Sequence, residues 1–211
     1  MLFRSPVYLA PNIPSLFDLS PLPKEVGRLQ VIIVALIGPM KNHLKIIEAL
    51  CLVNGNLDFH VVGPIYDKKY WDKCLKAAEK LPSTVHLKYH GDINPKEVPH
   101  FLDKAHIYVC PSESENFGHS ILEALSSGRP VITSYNTPWL NLEASKAGRN
   151  VSLDVSSLKE AIQGFINMSN DEYLVWSGGA RNYAHSSVDV ANIKSQYISL
   201  FTDQYIYHEP Q

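Results

Sequence analysis

The sequence predicts an α/β fold built on one doubly wound parallel sheet flanked by helices. Two observations carry that prediction, and a third bounds it. Short apolar runs of strand length recur at residues 31–37, 57–62, 106–110 and 131–133, the first apolar throughout, as a strand buried on both faces must be. Between the strands lie stretches whose apolar residues repeat at helical spacing, and strands alternating with helices at short intervals give a parallel sheet with right-handed crossovers. The chain has 211 residues and a mass of 23.7 kDa, enough for one domain with a real core.

Taken in order, residues 1–28 hold Pro6, Pro11, Pro14, Pro21 and Pro23 without a steady period, and predict a linker or a wrapped arm. Strand 31–37 is followed by a helix over 41–53 with Leu44, Ile47, Leu50 and Leu52 on its apolar side. Strand 57–62 ends at Gly63-Pro64, and a helix over 67–81 places Trp71, Cys74, Leu75 and Ala78 together. Residues 85–89 alternate as a third strand. Asn94, Pro95 and Glu97 form a helix start, with a cap, a first-turn proline and an acidic third position. That helix is expected to end near Ala105, before strand 106–110.

A polar loop over 111–117 then leads into a helix from Gly118 to about Ser127, with Ile121, Leu122, Ala124 and Leu125 at helical spacing. Gly128 supplies its C-cap, and Pro130 precedes strand 131–133. A sixth strand is expected over 151–153 and a helix over 154–168. Further helical segments follow at 170–187 and 190–201, weakened by Gly178-Gly179. A parallel sheet opens all its carboxyl ends on one edge, where ligands bind. That rule gathers Lys41, Gly63-Pro64, Gly91-Asp92-Ile93, the 111–117 loop and Thr137-Pro138-Trp139 around one crevice.

The chemistry is concentrated where the 111–117 loop meets its helix. Backbone N–H groups of residues 118–121 project from the helix start, where the dipole favours an anion. Gly118 has no side chain to block a phosphate. Glu115 and Glu123 bracket that anion site from loop and helix. A carboxylate beside a phosphate suits sugar or ribose hydroxyls, as their acceptor. Ser120 either donates its hydroxyl to a phosphate or caps the helix locally. His119 sits in the same turn on a wet edge. His60, His86 and His106 lie in strands and read as structural.

Composition excludes other classes. A net charge of −2 with no basic stripe argues against a nucleic-acid partner. Cys51, Cys74 and Cys110 are odd in number and lie in apolar or helical runs, so they read as reduced thiols in a cytoplasmic protein. No Cys–His spacing suits zinc, no Asp-x-Asp is present to carry a metal-bridged diphosphate, and no Gly-x-Gly-x-x-Gly suggests a nicotinamide enzyme. No apolar run approaches the ~20 residues that span a bilayer, and residues 1–14 do not resemble a signal peptide.

The motif Pro111-Ser112-x-x-Glu115-x-Phe117-Gly118-x-x-x-Leu122-Glu123-Ala124-Leu125-x-x-Gly128-x-Pro130-Val131-Ile132 resembles retaining glycosyltransferases of the GT-B fold, the glycosyl transferases group 1 family. The match is closest to the bacterial class that includes sugar transferases of polysaccharide assembly, and covers roughly residues 30–202. The resemblance implies a Rossmann-like domain equal to the C-terminal, donor-binding half of such an enzyme. It divides the chain into an arm (1–28), a nucleotide-sugar-binding domain (29–190) and a C-terminal helix and tail (190–211). It implies hexosyl-type transfer from a nucleotide-diphosphate sugar with retained configuration and no metal or other cofactor. A separate acceptor domain or partner subunit would be needed, leaving the isolated chain inactive and any peripheral membrane attachment to that other half.

By the same resemblance, Glu115 and Lys41 act at the reacting centre. Asn116, Phe117, Gly118, His119 and Ser120 bind the sugar and phosphates, Glu123 the ribose, and Asp92 and Ile93 the base through their backbone. One position departs from the family. Its phosphate-clamping arginine falls on Leu36, which cannot hydrogen-bond a phosphate. That departure, with the absent second half, also fits a non-catalytic nucleotide-sugar-binding or scaffold domain.

Overall fold

The computed structural model describes residues 14–202. A single six-stranded, wholly parallel sheet forms the centre. Its strands are β1 (Arg28–Val34), β2 (Asn56–Val62), β3 (Val85–Tyr89), β4 (Ile107–Cys110), β5 (Val131–Ser134) and β6 (Gly148–Val151). The order across the sheet is β3-β2-β1-β4-β5-β6. The chain therefore winds outward from β1 to β3, returns to the middle and winds the other way. Strand order reverses between β1 and β4, and a crevice opens there at the carboxyl ends.

The helices are α1 (His43–Leu50), α2 (Lys68–Ala78), α3 (Val98–Asp103), α4 (His119–Ser126), α5 (Val155–Asn167), α6 (Asn170–Ser187) and α7 (Val190–Thr202). α1 packs on α2 and α5, while α4 packs on α6. The strands β4 and β5 are buried at every position, as expected of central strands covered on both faces.

Several boundaries differ from the sequence prediction, each for a physical reason. β1 ends at Val34 rather than at residue 37. Ile37 is buried through an isolated bridge to Ile65, and Leu36 turns outward, 51% exposed. α1 starts at His43, not Lys41, because Pro39–Lys41 form a 3-10 turn and Asn42 adopts a left-handed conformation at φ 55°. Lys41 thus stands on a loop. β6 forms at Gly148–Val151, not 151–153. Gly148 lies against the Val131 backbone where a Cβ would collide, and the polar Arg149 and Asn150 hid the start of this edge strand from an apolar-run reading.

α6 runs through Gly178-Gly179 without a break. A Cβ on Gly179 would sit 2.5 Å from the carbonyls of Ser145 and Lys146, so this glycine permits close packing. The helix start at Asn94 forms as a capping box on a 3-10 turn, Pro95–Glu97, that leads into α3. Gly128 takes the left-handed C-cap conformation, with its N–H on Leu125 O and the Arg129 N–H on Ala124 O.

From residue 14 onward, the N-terminal segment is a wrapped arm. Leu16, Phe17 and Leu19 pack on the core, and Phe17 N–H donates to Ser126 Oγ at 3.0 Å. Lys24 is buried and its ammonium caps the end of α5 through Ile166 O and Met168 O. His106 fastens the arm to β4, accepting from Gln30 N–H and meeting Pro23 O at 3.0 Å, and burial pulls its imidazole down to about 4. The parts of the arm before residue 14 and of the tail after residue 202 lie outside the described residues.

Candidate functional site

Two loops build the crevice: the one after β1, residues 35–42, and the one after β4, residues 111–118. They are laced together. Asn42 Nδ2 donates to Pro111 O at 2.8 Å and to Glu113 Oε1 at 3.0 Å, and Glu113 N–H donates to Met40 O at 2.9 Å. The Asn42 amide holds the Glu113 carboxyl below its usual range. Ser112 is fully buried, accepts from Ser134 Oγ at 2.5 Å and donates to Glu115 Oε1 at 2.7 Å. Glu115 is thereby aimed inward, where its carboxylate pairs with the Lys41 ammonium. The pair is largely enclosed, with side chains 13% and 22% exposed respectively.

Between these loops lies a cleft of about 660 Å³. Val34, Ala35, Leu36 and Lys41 line one side, and Glu115, Asn116, Phe117, Gly118, His119, Ser120 and Glu123 the other. Every site residue expected on the β4–α4 motif is thus on one wall, with Lys41 and Leu36 opposite. Lys41 is the one lysine or arginine among the described lining residues, against two carboxylates. Asp92 and Ile93 are not on this wall. They follow β3, two strands from β1 and three from β4, where Gly63 N–H donates to Gly91 O at 2.8 Å. Asp92 is exposed and Ile93 packs against the core.

Glu123 is half-buried, and burial pushes its carboxyl above the usual carboxylate range. Its carboxylate makes no hydrogen bond or ion pair among the described residues, so its acceptor capacity faces the cleft unused. The helix start is narrower than expected, because the Ile121 N–H is already taken by Gly118 O. Gly118 has φ 78°, and a Cβ there would come within 3.1 Å of Trp139 Nε1 and Ile121 Cδ1. The glycine is therefore favoured by conformation, and a side chain there would also crowd Trp139 and Ile121.

Trp139 is buried beneath the loop and donates from Nε1 to Phe117 O at 2.5 Å. Phe117 stands edge-on to it at 5.5 Å, and His119 lies 4.7 Å from Phe117 on the far side. Trp139, from the β5–β6 connection, thus supports from behind the Phe117 segment that lines the cleft. One participant was not singled out from sequence: Asn42, whose partners Pro111 and Glu113 lie about 70 positions away in the chain. A second cavity of about 370 Å³, lined by Arg28, Asp58, Thr84 and His86 among others, lies at the opposite, amino-terminal edge of the sheet. Parallel sheets do not normally place ligand sites there. Among the described residues, no group of three or more His, Cys, Asp or Glu is placed to hold a metal ion, and no helix is long and apolar enough to cross a membrane.

Known proteins show the same architecture. Over residues 18–174, the chain matches the family model for glycosyl transferases group 1. It is 32% identical over 82 residues to a 2-deoxystreptamine N-acetyl-D-glucosaminyltransferase of Niallia circulans, covering 39% of this chain and 20% of that protein. It is 28% identical over 108 residues to TuaH of Bacillus subtilis, a candidate teichuronic acid biosynthesis glycosyltransferase, covering 48% of this chain and 26% of that protein. The matches therefore span about a quarter or less of these relatives' length. Among solved structures, it superposes on S. aureus TarM, determined with UDP bound, with a TM-score of 0.75 at 22% identity, covering 95% of this chain and 40% of that one. The C-terminal domain of LpcC from Francisella tularensis gives a TM-score of 0.64 at 18% identity, covering 76% and 86%. With the family model matched over well more than half of its 211 residues, this chain belongs to the glycosyl transferases group 1 family.

Proposed function

We propose that this domain is the donor-binding half of a retaining, hexosyl-type glycosyltransferase that takes a nucleotide-diphosphate sugar, acting in polysaccharide or glycoconjugate synthesis. The observation that carries the reading is the convergence of Lys41, Glu115, Glu123 and the start of α4 on one cleft at the strand-order reversal. Glu123, whose carboxylate has no partner among the described residues, accepts the ribose hydroxyls. Glu115, held by Ser112, accepts hydroxyls of the donor sugar. Lys41 and the backbone at the start of α4 stabilise the departing diphosphate, where negative charge grows as the glycosidic bond breaks. Phosphate stabilisation comes from these groups without a metal ion. The acceptor comes from a second domain or partner subunit facing the carboxyl edge. The UDP bound to TarM supports the donor class.

A second reading is favoured by Leu36. With an exposed leucine on the phosphate side, the domain binds a nucleotide sugar without transferring it. Calorimetry on two variants tests the assigned roles. Glu123→Ala should weaken a nucleoside diphosphate by about 1–3 kcal/mol, the cost of losing an acceptor for buried hydroxyls. Glu115→Ala should spare the free nucleotide and weaken only the nucleotide sugar. Equal losses for the nucleotide alone sink this division of labour.

A further inference from the structure

Tyr108 is a polar side chain in the middle of a fully buried strand. Burial pushes its phenol well up, so the hydroxyl stays protonated. Its Oη lies 3.1 Å from Val34 O and 2.8 Å from Ser120 Oγ. Val34 ends β1, Ser120 is in the first turn of α4, and both line the cleft. One buried hydroxyl therefore reaches both walls at the point where strand order reverses.

A tyrosine hydroxyl carries one proton and cannot donate to two acceptors at once. Two arrangements are open to the three groups, and only the first serves Val34 O. In one, Tyr108 donates to Val34 O and Ser120 turns its own proton onto Tyr108 Oη. In the other, Tyr108 donates to Ser120 Oγ, which leaves the Ser120 proton free for a group in the cleft. Ser120 Oγ is then held through its lone pair, and its proton stays available to a group in the cleft that Ser120 lines.

We propose that Tyr108 is a positioning residue of the anion site: it anchors Ser120 Oγ and, by turning its proton from Val34 O to Ser120 Oγ, frees the Ser120 hydroxyl to donate to a bound phosphate. The proposal rests on the phosphate-binding part of the function proposed above and adds a residue that never touches the ligand. It also gives Ser120 the donor role rather than that of a local cap.

The test uses inorganic pyrophosphate as the anion and uridine and adenosine as uncharged controls, titrated into the whole chain. Tyr108→Phe and Ser120→Ala should each weaken pyrophosphate by roughly three- to tenfold, the range of one neutral hydrogen bond. The double variant should lose no more than Ser120→Ala alone, and neither nucleoside should be affected. A purely structural role for Tyr108 would instead weaken all ligands together. Ser120→Ala removes no core side chain and leaves the Tyr108 hydroxyl its bond to Val34 O, so unchanged pyrophosphate affinity in that variant overturns the proposal by itself. Losses that multiply in the double variant, or no pyrophosphate binding by the unaltered chain, overturn it as well. If pyrophosphate behaves as expected but nucleotide sugars bind no more tightly, the positioning role stands and the donor-binding function falls.

Discussion

Arg129→Leu should cost about 3 kcal/mol of stability, because Arg129 ties down the ends of two helices from a fully buried position. Its Nε donates to Ala105 O at 3.2 Å and its Nη2 to Asp103 O at 3.1 Å, both at the end of α3. Its Nη1 donates to Ser127 O at the end of α4. Helix carboxyl ends carry unpaired carbonyls and partial negative charge, and a guanidinium fork answers both. Leucine would leave these carbonyls unpaired, at about 1–3 kcal/mol each when water cannot reach them. Two effects reduce the sum: the exposed Asp103 side admits some water, and burial already lowers the Arg129 pKa, so removing the cation relieves a desolvation cost. Arg129→Lys should recover part of the loss. Urea denaturation of the three proteins measures this. An Arg129→Leu variant within about 0.5 kcal/mol of the original would mean these bonds add nothing net.

Leu36→Arg should tighten binding of nucleoside diphosphates at least about tenfold. A charge-assisted bond to a phosphate contributes roughly 1.5–3 kcal/mol, at ~1.4 kcal/mol per decade. The position admits the change, since Leu36 is 51% exposed on the cleft wall rather than packed in the core. The cleft also needs the charge. Lys41 is already paired with Glu115, and Glu123 adds a second carboxylate. The gain should shrink with added salt and vanish for a bare nucleoside. Titrating both proteins at two salt concentrations reads it directly. A folded variant that binds the diphosphate no better shows that the missing cation does not limit this site.

Much of this was legible in the sequence, because it depends on local order. The loop and helix around Glu115 and Glu123, the Gly128 cap and the two central strands follow from spacing and turn chemistry that neighbouring residues settle among themselves. What was hidden depends on pairing across long separations. The run 31–37 looks uniformly apolar, but only the isolated Ile37–Ile65 bridge shows that Leu36 leaves the sheet. The Lys41–Glu115 pair and the Asn42–Pro111 bond join residues about 70 positions apart, and nothing local encodes them. Tyr108 reads as an ordinary core aromatic until Val34 and Ser120 are placed beside its hydroxyl. The sixth strand was expected but placed three residues too late, because an edge strand tolerates polar residues such as Arg149 and Asn150.

The reading of the cleft as a nucleotide site can be checked by following backbone amide resonances while uridine, adenosine and guanosine diphosphates are titrated. With at least one of them, resonances of residues 38–42 and 115–123 should shift together and saturate. Those of Arg28, Asp58 and His86, around the cavity on the opposite edge, should stay in place. Saturable shifts confined to that opposite cavity, or none with any of the three diphosphates, would contradict the assignment of this cleft.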